Sequence, residues 1–393
     1  MPGGCRLKPQ HFFAPCPRGL EAALADELAS VGARDIAPVD GGVGFTGDEV
    51  VMMRANLESR TASRVLLRLV HGRYLDERDV YQLAHTVDWP SWFSLEQTFK
   101  IKTDGVNAPV KSLDFVSLKV KDAICDRFRD ATGARPSVDT RVPDIRVHVF
   151  LMRDTATVYL DTSGEPLFKR GWRGETGEAP LRENLAAGIL LIAGYDGSQP
   201  LVDPMCGSGT FLVEAADIAL KRAPGRNRRF GFEAFADFDS AQWQQVKKVV
   251  KAMEREPEPL MIWGSDRDRR MIETAERNLA QAGLKGLVRL KAQDVLDTRP
   301  PAGNGILIAN PPYGVRLDEQ DALAALYPSL GAWLKQYWAG WTANFFTGDL
   351  RLAKLIRLTP KRRVPLYNGA LECRLFAIPM VSGSNRKDKP DAD

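Results

Sequence analysis

From about residue 180 onward, short apolar runs alternate with amphipathic stretches of helical period. Leu201-Val202, Leu260-Met261-Ile262-Trp263, Leu287 to Leu290, Ile306 to Ala309, Ala343 to Phe346 and Cys373 to Ile378 read as strands. Glu183 to Ala193, Thr210 to Ala219, Arg269 to Ala282 and Ala322 to Trp338 read as helices. Regular alternation of this kind predicts an α/β fold with a doubly wound, mainly parallel sheet. The front of the chain is patterned differently. Leu20, Ala23, Leu24, Leu28 and Val31 mark one amphipathic helix, and Gly41 to Gly47 is a glycine-rich turn around a short strand. Helices are expected near Val80 to Ala84 and Ser117 to Phe128. Ile145 to Leu151 alternates with period two and, with Thr157 to Leu160, predicts a hairpin that puts Arg146 and His148 on its polar face.

These patterns divide the chain into small α+β units over residues 1–60 and 61–165, a basic linker over 166–180, and a large α/β domain over 181–381. The polar residues 382–393 are expected to be an unstructured tail. At 393 residues the chain can hold two or three domains with their own cores. No apolar run reaches membrane-spanning length and no signal-peptide core follows Met1, so a cytoplasmic protein with no membrane partner is expected. Five cysteines without CxxC spacing read as reduced thiols, with no metal site.

The net charge of +4 is unevenly spread. Through Glu165 there are 21 Lys/Arg against 23 Asp/Glu, so the excess lies in the remainder. It gathers at Lys169-Arg170-Gly171-Trp172-Arg173, at Lys221-Arg222 with Arg226, Arg228 and Arg229, and at Lys361-Arg362-Arg363. Basic residues beside aromatics suit a phosphate backbone and its bases, although a solvated surface explains any single cluster as well. Lys169, Arg170, Trp172 and Arg173 are the candidate nucleic-acid contacts.

The candidate chemistry sits at strand ends. Asp203-Pro204-Met205-Cys206-Gly207-Ser208-Gly209 joins the first large-domain strand to a helix. Its glycines permit a tight turn and close approach of a ligand. The loop lacks the third glycine of a dinucleotide fingerprint and any Walker lysine, and its leading carboxylate suits an ammonium group better than a phosphate. Asp266, followed by Arg267, ends the second strand and can accept from both ribose hydroxyls. Asp294, followed by Val295, ends the third and can accept from an adenine amine. One such Asp is ordinarily a cap or turn residue; four successive strand ends carrying Asp203, Asp266, Asp294 and Asn310 describe a pocket for an adenosine compound with a cationic head. Asn310-Pro311-Pro312-Tyr313 then supplies an amide acceptor, a rigid turn and an aromatic face for a flat exocyclic amine.

In these motifs the chain resembles class I S-adenosylmethionine-dependent methyltransferases that methylate exocyclic amines, with the Rossmann-like domain of that class. Leu181-Arg182-Glu183-Asn184-Leu185-Ala186-Ala187 resembles the helix before the cofactor loop, and the resemblance makes Glu183 a cofactor contact. His11-Phe12-Phe13-Ala14-Pro15-Cys16-Pro17-Arg18-Gly19-Leu20-Glu21 resembles the opening of a ferredoxin-like domain. Val120-Lys121-Asp122-Ala123-Ile124 and Pro143-Asp144-Ile145-Arg146-Val147 resemble elements of the RNA-binding THUMP domain. The whole arrangement is similar to the bacterial large-subunit rRNA guanine-N2 methyltransferases of the RlmL type. That resemblance implies S-adenosyl-L-methionine as cofactor and large-subunit (23S) rRNA, or an assembling ribosomal particle, as partner. A THUMP-type tRNA guanine-N2 methyltransferase, a DNA adenine-N6 methyltransferase and a non-catalytic RNA-binding protein are the competing readings.

Two eliminations sharpen the mechanism. All four histidines, His11, His71, His85 and His148, precede the large domain. Cys206 lies in the cofactor loop and Cys373 in a strand, so neither is placed as a nucleophile for pyrimidine C5 chemistry. Trp333, Tyr337, Trp338 and Trp341 are expected to be core on one helix face.

Overall fold

The computed structural model describes residues 9–173, 181–311 and 317–382, with the side chains of 317–323 outside that description. The chain forms two units. One comprises the chain through Cys16 together with Leu24–Arg170 and Ala223–Ala252; the other comprises Pro17–Ala23, Gly171–Arg222 and the chain from Met253.

The first unit is built on a seven-stranded sheet. Its strands are β1 (Gln10–Pro15), β2 (Arg34–Val39), β3 (Gly42–Gly47), β4 (Leu66–Arg73), β5 (Phe99–Val106), β6 (Ile145–Met152) and β7 (Thr155–Asp161), in the order β2-β3-β1-β4-β7-β6-β5. Only the β5–β6 pair is parallel. Helices α1 (Glu21–Ser30), α2 (Glu49–Glu58), α3 (Glu77–His85) and α4 (Leu113–Thr132) connect these strands. β6 buries Ile145, Val147, Val149 and Leu151 and leaves Arg146 and His148 on its polar face, as the period-two pattern predicts. Asp104 Oδ2 lies 2.7 Å from His148 Nε2.

The chain continues through α5 (Glu183–Ile192), β8 (Leu201–Asp203), α6 (Thr210–Ala219), α7 (Ser240–Lys251), β9 (Ile262–Asp266), α8 (Arg269–Gln281), β10 (Arg289–Ala292), β11 (Gly305–Ala309), α9 (Leu317–Tyr337), β12 (Trp341–Thr347), α10 (Leu352–Leu355), β13 (Arg362–Asn368) and β14 (Leu371–Pro379). All but α7 belong to the second unit, whose sheet runs β10-β9-β8-β11-β12-β14-β13. Strands β8 to β12 are parallel, and β14 runs antiparallel to both neighbours. The doubly wound expectation therefore holds, with a reversed hairpin closing one edge.

The core on one face of this sheet is dense in aromatics. Leu307, Ala309, Ala343 and Phe345 pack against Tyr327, Leu330, Trp333, Leu334 and Trp338, with Trp341 among them. Trp333 Nε1 donates to the Thr298 carbonyl at 2.9 Å and Trp341 Nε1 to that of Ala302 at 3.0 Å. The tryptophans are core, as expected, but Trp341 opens β12 rather than extending the helix face.

Residues 223–252 lie inside the span expected to form the large domain, yet they pack in the first unit. Phe230 and Phe232 stack with ring centroids 5.4 Å apart, Trp243 meets them edge-on at 5.7 and 5.1 Å, and Phe235 meets Trp92 edge-on. Gly225 N donates to Leu57 O, Phe232 N to Thr162 O and Ala236 N to Trp92 O. The Arg228 guanidinium donates to the carbonyls of Ser163, Glu165 and Pro166.

Candidate active site

Strands β10, β9, β8 and β11 are neighbours in the sheet. Their carboxyl ends therefore set Asp294, Asp266, Asp203 and Asn310 in a row along one edge. The strand order reverses between β8 and β11, and the edge of a doubly wound sheet opens into a crevice at such a switch point.

The loop after β8 is held by its own backbone amides. Met205 N donates to Asp203 Oδ1 at 3.1 Å, Cys206 N to Ser265 O at 2.9 Å, Gly207 N to Asp266 Oδ2 at 3.0 Å and Gly209 N to Cys206 O at 2.8 Å. Donors already committed in this way are not offered to a phosphate, so the loop is unlike a phosphate-binding nest. Gly209 has φ +83°, and a Cβ there would lie 3.1 Å from that of Ala275. Only glycine relieves both constraints at once. Gly264 on β9 serves packing instead, since a Cβ would lie 2.4 Å from Leu212 Cδ1 of α6.

Asp266 is half-buried and also accepts from Asp268 N at 2.9 Å, which leaves lone pairs on both oxygens for a ligand. Its role in anchoring Gly207 was not legible in the sequence. Asp203 is 1% exposed, and burial pushes its carboxyl up to about 8 against the opposing hydrogen bond from Met205, with the Asp266 charge adding to the rise. Cys206 is buried and its thiol is pushed well up by the same desolvation. Pro204 is buried, Met205 half-buried, Arg267 exposed and Val295 part of the aromatic core. Asp294 is exposed and caps a short turn, accepting from Leu296 N at 2.9 Å.

Asn310 follows β11 directly. Its side-chain oxygen is buried and has no hydrogen-bond partner among the described residues. A buried, unused carboxamide oxygen costs free energy until a donor reaches it. Pro311 beside it is buried; Pro312 and Tyr313 lie outside the described residues.

The expected nucleic-acid contacts need correction. Trp172 is 2% exposed and Arg170 4%, so neither offers a surface to RNA. Arg170 donates to the carbonyls of Leu167 and Arg60 at 2.7 and 2.6 Å. Arg173 is committed to Glu183, itself buried, at 3.1 Å. Lys169 alone of the four is exposed, and it pairs with Glu165. Alternation of basic and aromatic residues signals a surface only when the segment is exposed, and here it packs inward.

Residues 11–66 match the RlmL ferredoxin-like domain, 74–161 the THUMP domain and 170–377 the RMKL-like methyltransferase domain. The chain belongs to the THUMP-containing, RlmL-type family of S-adenosylmethionine-dependent RNA methyltransferases. A Synechocystis relative, provisionally named RNA methyltransferase slr0064, is 40% identical over 366 residues, covering 93% of this chain and 95% of its own. SMU.472, a provisionally assigned methyltransferase solved with S-adenosylhomocysteine, has a TM-score of 0.88 at 30% identity, covering 96% of this chain and 100% of its own. A Listeria monocytogenes protein, assigned from sequence as an N6-adenine-specific DNA methylase, has a TM-score of 0.87 at 29% identity, covering 95% and 97%.

S-adenosylmethionine is thus the cofactor. A loop with four of its amides committed internally, a buried carboxylate at its start and a half-free carboxylate at the next strand fit a ligand that is cationic and bears a ribose but no phosphate. Asp203, the loop through Gly209 and Asp266 are the residues that would hold it. Asp266→Ala removes the tie to Gly207 together with the carboxylate that would accept from the ribose. Cofactor affinity should fall on the order of 100-fold, and an unchanged dissociation constant in calorimetry would take Asp266 out of the site.

Asp203 should make binding depend on pH. Because its folded pKa is raised, the folded protein keeps a proton there from about 4 up to about 8. Stability without ligand therefore falls as pH rises through that window. A cationic ligand favours the ionised form, so cofactor affinity should rise with pH up to about 8 and level off above it. The cofactor's own amino group titrates nearby, so the readout is the difference between the native protein and Asp203→Asn. Identical pH profiles would show that Asp203 does not sense the ligand's charge.

Proposed function

We propose that this protein methylates the exocyclic N2 of a guanosine in large-subunit (23S) rRNA, as free RNA or in an assembling ribosomal particle, with no metal required. The observation that carries the reading is the buried Asn310 side-chain oxygen at the switch point, which has no hydrogen-bond partner among the described residues. Bound S-adenosylmethionine supplies an electrophilic methyl on a sulfonium centre. The lone pair of an exocyclic amine is delocalised into its base and is a poor nucleophile. Asn310 Oδ1 and the Pro311 carbonyl, accepting from its two N–H groups, would fix the amine and favour a more nucleophilic geometry. Tyr313 would stack on the base once it is flipped out of any helix. The amine's proton is lost only after the nitrogen becomes cationic, so acceptors suffice and no strong base is needed. From Gly171 onward the chain contains no histidine.

The ferredoxin-like and THUMP matches support RNA over DNA as the substrate. The choice of guanine N2 and of rRNA rests on the RlmL-type domain set. The test is mass spectrometry of nucleosides from large-subunit rRNA, tRNA and DNA of a strain lacking the protein. Loss of N2-methylguanosine from the rRNA is the expected result. Loss from tRNA alone would establish the tRNA reading instead, and loss of N6-methyladenine from DNA would establish the DNA reading.

A further inference from the structure

Arg173 sits where three segments of the second unit meet. Its Nε lies 3.1 Å from Glu183 Oε1 at the start of α5. Its Nη2 donates to Thr210 Oγ1 at 2.7 Å and to the Leu181 carbonyl at 3.2 Å. The guanidinium also lies 5.2 Å from the Trp172 ring, and the side chain is only 13% exposed. Thr210 is the first residue of α6 and directly follows Gly209, the left-handed residue that closes the cofactor loop. A guanidinium is a planar fork with its donors in fixed directions, so it sets the relative positions of its partners as an ammonium does not. Burial draws Arg173 below its usual pKa while Glu183 and Glu214 oppose the shift. The cation is therefore retained among carboxylates rather than displayed to a polyanion.

We propose that Arg173 is a positioning residue for the cofactor site, acting through Glu183 and Thr210 to hold the start of α5 and the first turn of α6 in the arrangement that presents the loop from Asp203 to Gly209 to S-adenosylmethionine. It makes no contact with RNA. The inference rests on the placement of the cofactor at that loop. Without Arg173 the Glu183 carboxylate loses this buried partner, and the pair rearranges rather than tolerate the loss.

The experiment compares Arg173→Gln, Arg173→Lys and Thr210→Val with the native protein. S-adenosylhomocysteine binding is measured by calorimetry, and binding of large-subunit rRNA is measured across a salt series. Arg173→Gln should weaken the cofactor analogue about 100-fold, and Arg173→Lys and Thr210→Val about tenfold, the range for hydrogen bonds to charged groups. RNA affinity and its salt slope should be unchanged. In turnover assays KM for the cofactor should rise more than kcat falls. Combining Arg173→Gln with Glu183→Gln should cost little beyond the worse single change, because both act through one pair. If Arg173→Gln does not fold, the two milder variants decide. Unchanged analogue binding in both, or a loss of RNA affinity with a shallower salt slope, overturns the proposal. Failure of the native protein to bind the analogue would instead refute the cofactor placement itself.

Discussion

Asn310→Ala should cut methyl transfer on the order of 1000-fold, the scale seen when a preorganised polar contact to the reacting group is removed, while cofactor affinity stays nearly intact. The asymmetry follows from position. Asn310 follows β11, on the far side of β8 from Asp266 and Asp294, and among the described residues its side-chain oxygen makes no hydrogen bond. Removing a buried acceptor that has no partner among the described residues should also relieve a cost, so the variant should be no less stable than the native chain. Asn310→Asp keeps an acceptor at the same place and should retain more activity than the alanine variant. Single-turnover rates at saturating cofactor, paired with calorimetry, separate the two effects. If Asn310→Ala lost cofactor binding but turned over normally whatever it bound, Asn310 would belong to the cofactor pocket and the assignment of its role would fail.

The site was legible because each component is marked locally. An apolar run followed by Asp or Asn needs no long-range information, and strand–helix alternation implies a parallel sheet whose strand carboxyl ends share one edge, while their order is seen only in the structure. The loop's internal bonding was less visible, since the partnership of Gly207 with Asp266 spans 59 residues. β13 escaped notice for a physical reason. Its register with β14 runs from Arg362 to Asn368 and includes Pro365, so it reads as a basic loop, whereas an edge strand tolerates both charge and proline. Arg170 and Trp172 failed in the opposite direction. Their sequence looks like a surface, but backbone carbonyls and neighbouring side chains absorb them. Periodicity reports whether a segment has an apolar face and is silent on what that face meets. The aromatics of residues 223–252 are the clearest instance.

That segment leads to the second large effect. A fragment joining Pro17–Ala23 through a short linker to the chain from Gly171 keeps the whole second-unit sheet but strands residues 223–252 without Leu57, Trp92 and Thr162, whose carbonyls receive their amides. Exposing the faces of Phe230, Phe232, Phe235 and Trp243 would cost on the order of 8 kcal/mol, comparable with the net stability of an entire domain. The fragment should therefore aggregate, or be cut by protease within 223–252. Replacing those residues with a short glycine-serine linker should rescue it. The geometry permits this, because Arg255 N donates to Leu220 O at 2.9 Å and Arg255 Nη1 to Ala219 O at 3.2 Å, so the two ends of the excursion are already adjacent. The rescued fragment should bind S-adenosylhomocysteine about as tightly as the full chain, while losing RNA affinity and most of its salt dependence. A monomeric, protease-resistant fragment with 223–252 left in place would show that these residues fold without the first unit. Full RNA affinity in the rescued form would place the RNA-binding surface on the catalytic unit alone.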